Sequence, residues 1–129
     1  MKIVRFEDLS IWKLSLKITK EIYDITTKKE LIKDFPLRDQ MRRAIVSVSS
    51  NIVEGFEKNN NNEFCRYLRI AKGSVGELKN QLYICLKIQY ISSNEFKGIT
   101  NELESLTNQI GGFIHYLSAK RENKEFINK

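Results

Sequence analysis

A chain of 129 residues, 41% of them hydrophobic, is sized for one domain around one core, and six glycines with one proline are too few for a turn-rich β architecture. Lysine plus arginine exceed aspartate plus glutamate by 22 to 16, for a formal charge of +6 and a pI near 9.3. That balance favours acidic partners, nucleic acid foremost, over an anionic membrane, since no segment is both strongly basic and amphipathic along its whole length.

The first helix is predicted from near Asp8, its N-cap, to about Thr27. Leu9, Trp12, Leu16, Thr19 and Tyr23 form one stripe at three-four spacing, and Ile11, Leu14, Ile18, Ile22 and Ile25 form a second beside it. One stripe suffices for a bundle core, so the other is expected to meet a further copy of the chain. A polar connection, Thr27–Asp34, leads to Pro36, which fits the first turn of a second helix because its missing N–H costs nothing there. Leu37, Met41, Ala44, Ile45, Val48 and Ile52 mark that helix's inner face, Val46, Val53 and Phe56 widen it, and Gly55–Lys58 ends it.

The four asparagines Asn59–Asn62 predict a loop, because asparagine competes with helix through its own side-chain hydrogen bonds; Asn61 or Asn62 is the expected cap of the third helix. That helix is read from Glu63 to Tyr90, with Phe64, Leu68, Ala71, Val75, Leu78, Leu82 and Cys85 in a regular apolar seam. After a break at Ile91–Asn94, Phe96, Ile99, Leu103, Leu106, Ile110, Phe113 and Leu117 predict a fourth helix, which Gly111 and Gly112 are expected to interrupt. Short connections make successive helices antiparallel neighbours, so the expected fold is all-α: an up-down-up-down four-helix bundle over residues 1–120, with a polar tail over 121–129.

A catalytic constellation is hard to find. His115 is the single histidine, no Cys/His or Glu-x-x-His arrangement offers metal ligands, and Lys72-Gly73-Ser74 echoes a phosphate loop only superficially, since it lies mid-helix. Neither metal nor cofactor nor enzymatic activity is expected. Cys65 and Cys85 fall roughly 30 Å apart on one helix at ~1.5 Å per residue, too far for a disulfide, which points to reduced thiols in the cytoplasm. No apolar run approaches the ~20 residues that span a bilayer, and charged Met1–Asp8 has no apolar stretch behind it to make a signal peptide.

Two polar clusters carry more information. Arg38, Arg42 and Arg43 lie on the second helix, and Arg66, Arg69 and Lys72 recur every three residues on the third and are expected to share one face; guanidinium forks suit phosphate oxygens, and Tyr67 or Tyr83 can stack bases if exposed. The plainer reading is a solvated face with local pairs such as Arg38–Asp39 and Arg66–Glu63. Ser47, Ser49, Ser50, Asn51 and Glu54 form the second cluster, read as an internal polar network that joins the second helix to the third through Ser74, Glu77 or Arg69.

Phe6–Trp12, Leu37–Ala44, Ser47–Phe56 and Glu63–Ser74 with Glu77-Leu78 together resemble the bacterial four-helix-bundle family encoded in intervening sequences of 23S rRNA genes, whose fold is shared by accessory proteins of diversity-generating retroelements. Pro36, Ser49 and Val53 depart from the family's usual glycine, proline and alanine. The resemblance implies a cytoplasmic, non-enzymatic bundle assembled as a ring-like homopentamer. For the retroelement relatives it implies binding to nucleic acid and to a reverse transcriptase. Two functional readings follow: a homo-oligomer that binds RNA through its arginines, or a scaffold for a protein partner of polymerase type.

Overall fold

A computed structural model describes residues 3–122, and among these there are four long helices, one short one and no strand. After a 3-10 turn at Phe6–Asp8 come Ser10–Ile25 (α1), Lys29–Lys33 (α2), Phe35–Glu57 (α3), Asn61–Lys87 (α4) and Ser93–Glu122 (α5). The second, third and fourth helices expected from periodicity are α3, α4 and α5. Of the polar tail, Arg121 and Glu122 continue α5, and the remainder lies outside the described residues.

Helix ends show how local chemistry sets the register. Asp8 belongs to the 3-10 turn, and the N-cap of α1 is Leu9, whose side chain offers no hydrogen bond but is buried in the core. The Asp34 carboxylate accepts from the Leu37 N–H at 3.3 Å and opens α3, with Pro36 in the first turn. Asn60, not Asn61 or Asn62, caps α4 by accepting from the Glu63 N–H at 2.9 Å. Four identical side chains in a row differ only in backbone angle, which residue type cannot reveal. Helix α4 stops before Tyr90 in a Schellman turn: Gln89 takes φ 65°, and the Tyr90 N–H reaches back to Cys85 O at 2.8 Å. Ser92 and Glu95 then exchange hydrogen bonds of 2.9 and 3.1 Å as a capping box for α5.

Two elements differ from the sequence reading. The Thr27–Asp34 connection contains α2, a single turn pinned by buried Leu31. Gly111 and Gly112 do not break α5, because Ile110 and Leu117 on either side are fully buried and packing outweighs about 1 kcal/mol of propensity per glycine.

The long helices close a four-membered ring in which α1 packs on α3 and α5, and α4 packs on α3 and α5. Ser47 meets Ser74 while Met41 meets Cys85, Lys79 meets Glu104 while Cys65 meets Ile114, and Ser10 meets Gln109 while Lys17 meets Glu102, so these three pairs are antiparallel and α1 in turn runs against α3. All seven apolar-seam positions of α4 are buried, as are Ile11, Ile18, Ile22 and Ile25 of α1. Such a side chain contributes about 1.5–3 kcal/mol when fully buried. No helix among the described residues is long and apolar enough to cross a membrane.

Candidate nucleic-acid interface

The six cations singled out on α3 and α4 fall into two groups. Arg38 is folded back: its Nε donates to Asp39 at 2.9 Å, its Nη1 donates to Ile32 O at 3.0 Å, and its guanidinium lies 4.7 Å over the Phe35 ring. Arg42 points toward α1, donating to Thr26 Oγ1 at 2.8 Å and stacking 4.5 Å over Tyr23. Arg66 pairs with Glu63 at 3.1 Å and stacks 4.6 Å over Tyr67, and the Glu63 bond holds the guanidinium pKa above its ordinary value. These three are engaged within the chain. Arg43, Arg69 and Lys72 are exposed and have no hydrogen bond or ion pair with any described residue.

Arg66, Arg69 and Lys72 do not share one face. A step of three residues falls about 60° short of a full turn, so the side chains fan around α4. Arg66 lies beside Tyr67, which bonds to Glu54 of α3, whereas the Lys72 Nζ lies 3.8 Å from where a Cβ on Gly111 of α5 would be. Tyr67 is half-buried, its hydroxyl donating to Glu54 at 3.3 Å with Lys58 5.6 Å from its ring centroid. Tyr83 is exposed and packs edge-on against Phe96 at 4.8 Å.

The polar network between α3 and α4 is smaller than expected and centres on a different residue. Asn51 Nδ2 donates to Ser47 O at 2.8 Å and to Ser47 Oγ at 3.0 Å, and Ser47 Oγ meets Ser74 Oγ at 3.0 Å. Ser50, Glu54 and Glu77 are exposed instead: Ser50 has no partner among the described residues, Glu54 bonds to Tyr67, and Glu77 lines a cleft with Arg43. Arg69 takes no part. Glu54 lies seven residues from Ser47 on nearly the same face and does reach α4, but through Tyr67 at the exposed edge rather than through Ser74, Glu77 or Arg69, while Ser50 is turned outward.

Helix α1 keeps apolar surface outside the core. Leu16 and Tyr23 are 42% and 40% exposed, and Val46 of α3 is 41% exposed. Trp12 is half-buried against Phe6, and Val53 is half-buried. Cys65 and Cys85 are buried free thiols, and burial pushes the Cys85 pKa up to about 11. His115 is exposed on α5. Among the described residues no group of three His, Cys, Asp or Glu side chains is placed to hold a metal ion.

One cluster escaped the sequence reading because its members come from opposite ends of the chain. Glu21 and Asp24 of α1 and Glu95 and Glu102 of α5 line a cleft of about 330 Å3, with Lys28 bonded to Glu95 and Lys17 to Glu102. Burial, then a hydrogen bond that its protonated form donates to Glu102 and the charge of that carboxylate, push the Glu21 carboxyl up to about 7, against a weaker lowering by Lys17; Glu102 is held below its ordinary value, first by Glu21 and then by Lys17. The folded state therefore binds more protons than the unfolded chain between Glu21's ordinary 4.5 and about 7, and stability falls as pH rises through that window. Below it, protonation of Glu102 removes stability in turn. Screening at this partly open site limits the Glu21 effect to about 1 kcal/mol. Glu21→Gln, which keeps the neutral form at every pH, is expected to flatten thermal stability between those two values, and an unchanged slope would count against the carboxyl pair.

A family model for 23S rRNA-intervening sequence proteins matches residues 7–112. Among solved structures, a protein of unknown function from the S23 ribosomal protein family of Bacteroides thetaiotaomicron superposes with a TM-score of 0.76, covering 81% of this chain and 95% of that one at 21% identity. At that identity the likeness speaks to the fold alone. No curated protein matches.

Proposed function

Because the chain belongs to the family of 23S rRNA-intervening sequence proteins, we propose that it is a non-enzymatic, self-assembling bundle of the reducing cytoplasm that binds nucleic acid, RNA in particular, through the cations on α3 and α4. The observation that carries this reading is the triplet Arg43, Arg69 and Lys72, exposed and uncompensated within the described chain. A free guanidinium or ammonium on the surface of a protein of net charge +6 retains its full capacity for phosphate. The exposed Leu16, Tyr23 and Val46 support self-association through α1 and α3. In a ring of copies, pentameric by the family resemblance, the free cations recur around the assembly and add up to a continuous basic surface.

The test is gel-shift titration of structured RNA at two salt concentrations, with solution mass measured by light scattering. Binding should weaken steeply with salt, because each neutralised phosphate releases counterions. Replacing Arg69 and Lys72 together by glutamine is expected to reduce the log–log salt slope by about 1.4, at roughly 0.7 per phosphate contact. Binding that is absent at low salt, or indifferent to salt, removes the RNA reading, and a monomeric mass removes the ring.

A second reading, a scaffold for a polymerase-type protein partner, draws on the engagement of Arg38, Arg42 and Arg66 inside the chain. Purification with partner recovery separates the two: a stoichiometric protein partner without bound RNA favours the scaffold.

A further inference from the structure

Gln40, Arg43, Ala44, Ser47 and Glu77 line a polar cleft of about 230 Å3 between α3 and α4. Arg43 and Glu77 face the same small space, yet neither forms an ion pair with the other or with any other described residue. Opposite charges that face one another across a cleft ordinarily close on each other. The cleft therefore has a donor, Arg43, on its α3 wall and an acceptor, Glu77, on its α4 wall, neither of them engaged.

We propose that this cleft reads a single unpaired guanine of a bound RNA, an inference that rests on the RNA-binding reading above. At about 230 Å3 the space is below the usual range of sites for drug-sized ligands and suits one planar base. Bases are read by proteins where they are unpaired and splayed out, on their Watson–Crick and Hoogsteen edges. A carboxylate facing a guanidinium calls for a ligand with adjacent donors on one side and acceptors on the other. Guanine presents N1–H beside its 2-amino group, a pair that fits a carboxylate, and on the other side O6 and N7, which fit a guanidinium. Adenine and cytosine each have one amino group and no ring N–H on that edge, and uracil has one N–H. In this arrangement Glu77 accepts from N1–H and the 2-amino group, and Arg43 donates to O6.

The experiment is fluorescence anisotropy of the full chain with RNA hairpins whose loops differ only in carrying guanine, hypoxanthine or adenine. The guanine loop is expected to bind about ten-fold more tightly than the adenine loop, with hypoxanthine between them because it lacks only the 2-amino group. Glu77→Gln, at an exposed position, should bring the guanine and hypoxanthine loops together and narrow their advantage over adenine, leaving the part that Arg43 reads at O6, while binding stays salt-dependent. Equal affinity of the unaltered protein for all three loops, or any other order, overturns the guanine pocket and leaves RNA binding standing. No binding to any loop at low salt overturns the RNA reading and the pocket with it.

Discussion

Phe64→Ala is expected to destabilise the bundle by about 3–5 kcal/mol, a large part of the roughly 5–15 kcal/mol that holds a domain folded. Phe64 is 1% exposed, and its ring stands edge-on to Phe56 of α3 at 5.8 Å and to Phe113 of α5 at 5.4 Å. One side chain thus joins three helices near the α3–α4 turn, where the loop itself is only a few residues long. Truncation removes its apolar area from the core, leaves a void that rigid helices cannot fill, and deletes two aromatic contacts worth about 0.5–1.5 kcal/mol each. Urea unfolding followed by far-UV circular dichroism reads the loss as a lower midpoint at unchanged slope. The measurement is made at one protein concentration, because self-association adds stability by mass action. Phe35→Ala is the control: Phe35 is 60% exposed, so its loss should stay within about 1 kcal/mol, the Arg38 stacking on its ring included. A cost for Phe64→Ala no larger than that of the control would contradict the packing described.

Phe64 was legible before any coordinates, and the reason shows what a sequence can carry. The α4 seam repeats over the whole helix, so each position is supported by its neighbours' spacing, and all seven seam residues are buried. Helix α2 offers no such redundancy: five residues with one buried leucine have no period to detect. The two stripes of α1 were visible as well, and the structure decides between them. The isoleucines fill the core, while Leu16 and Tyr23 stay on the outside.

The cations divide along the same physical line. Arg66–Glu63 was readable because residues three apart on a helix are neighbours. The engagement of Arg42 was not, because Thr26 and Tyr23 reach it only once α1 has packed on α3. Nor could residue type show that Arg43 and Glu77 border one cleft without pairing. Whether a charge is spent or available depends on partners from other helices, and local spacing does not encode them.

Glycine substitutions at two positions of the bundle are expected to change stability in opposite directions. A Cβ on Gly55 would stand 2.6 Å from Tyr67 Cβ, 3.1 Å from Phe64 Cδ1 and 3.4 Å from Phe64 Cα. Tyr67 Cβ is fixed to the α4 backbone, so Gly55→Ala can be accommodated only by moving the two helices apart. That separation also stretches the Ser47–Ser74 contact at 3.0 Å along the same seam. Overpacking of this kind costs about 1–3 kcal/mol, against about 1 kcal/mol returned by alanine's better helix propensity, so a net loss of up to about 2 kcal/mol is expected. A Cβ on Gly73, mid-helix in α4, would have nothing within 4 Å outside its own helix backbone and its chain neighbours. There the propensity gain stands alone, and Gly73→Ala should stabilise by about 0.5–1 kcal/mol. Urea midpoints of the two variants, measured side by side, check the contrast. A Gly55→Ala protein as stable as Gly73→Ala would mean that α3 and α4 do not approach closely at this point, and with that the narrow α3–α4 seam, along which Arg43 and Glu77 are held apart, would lose its structural basis.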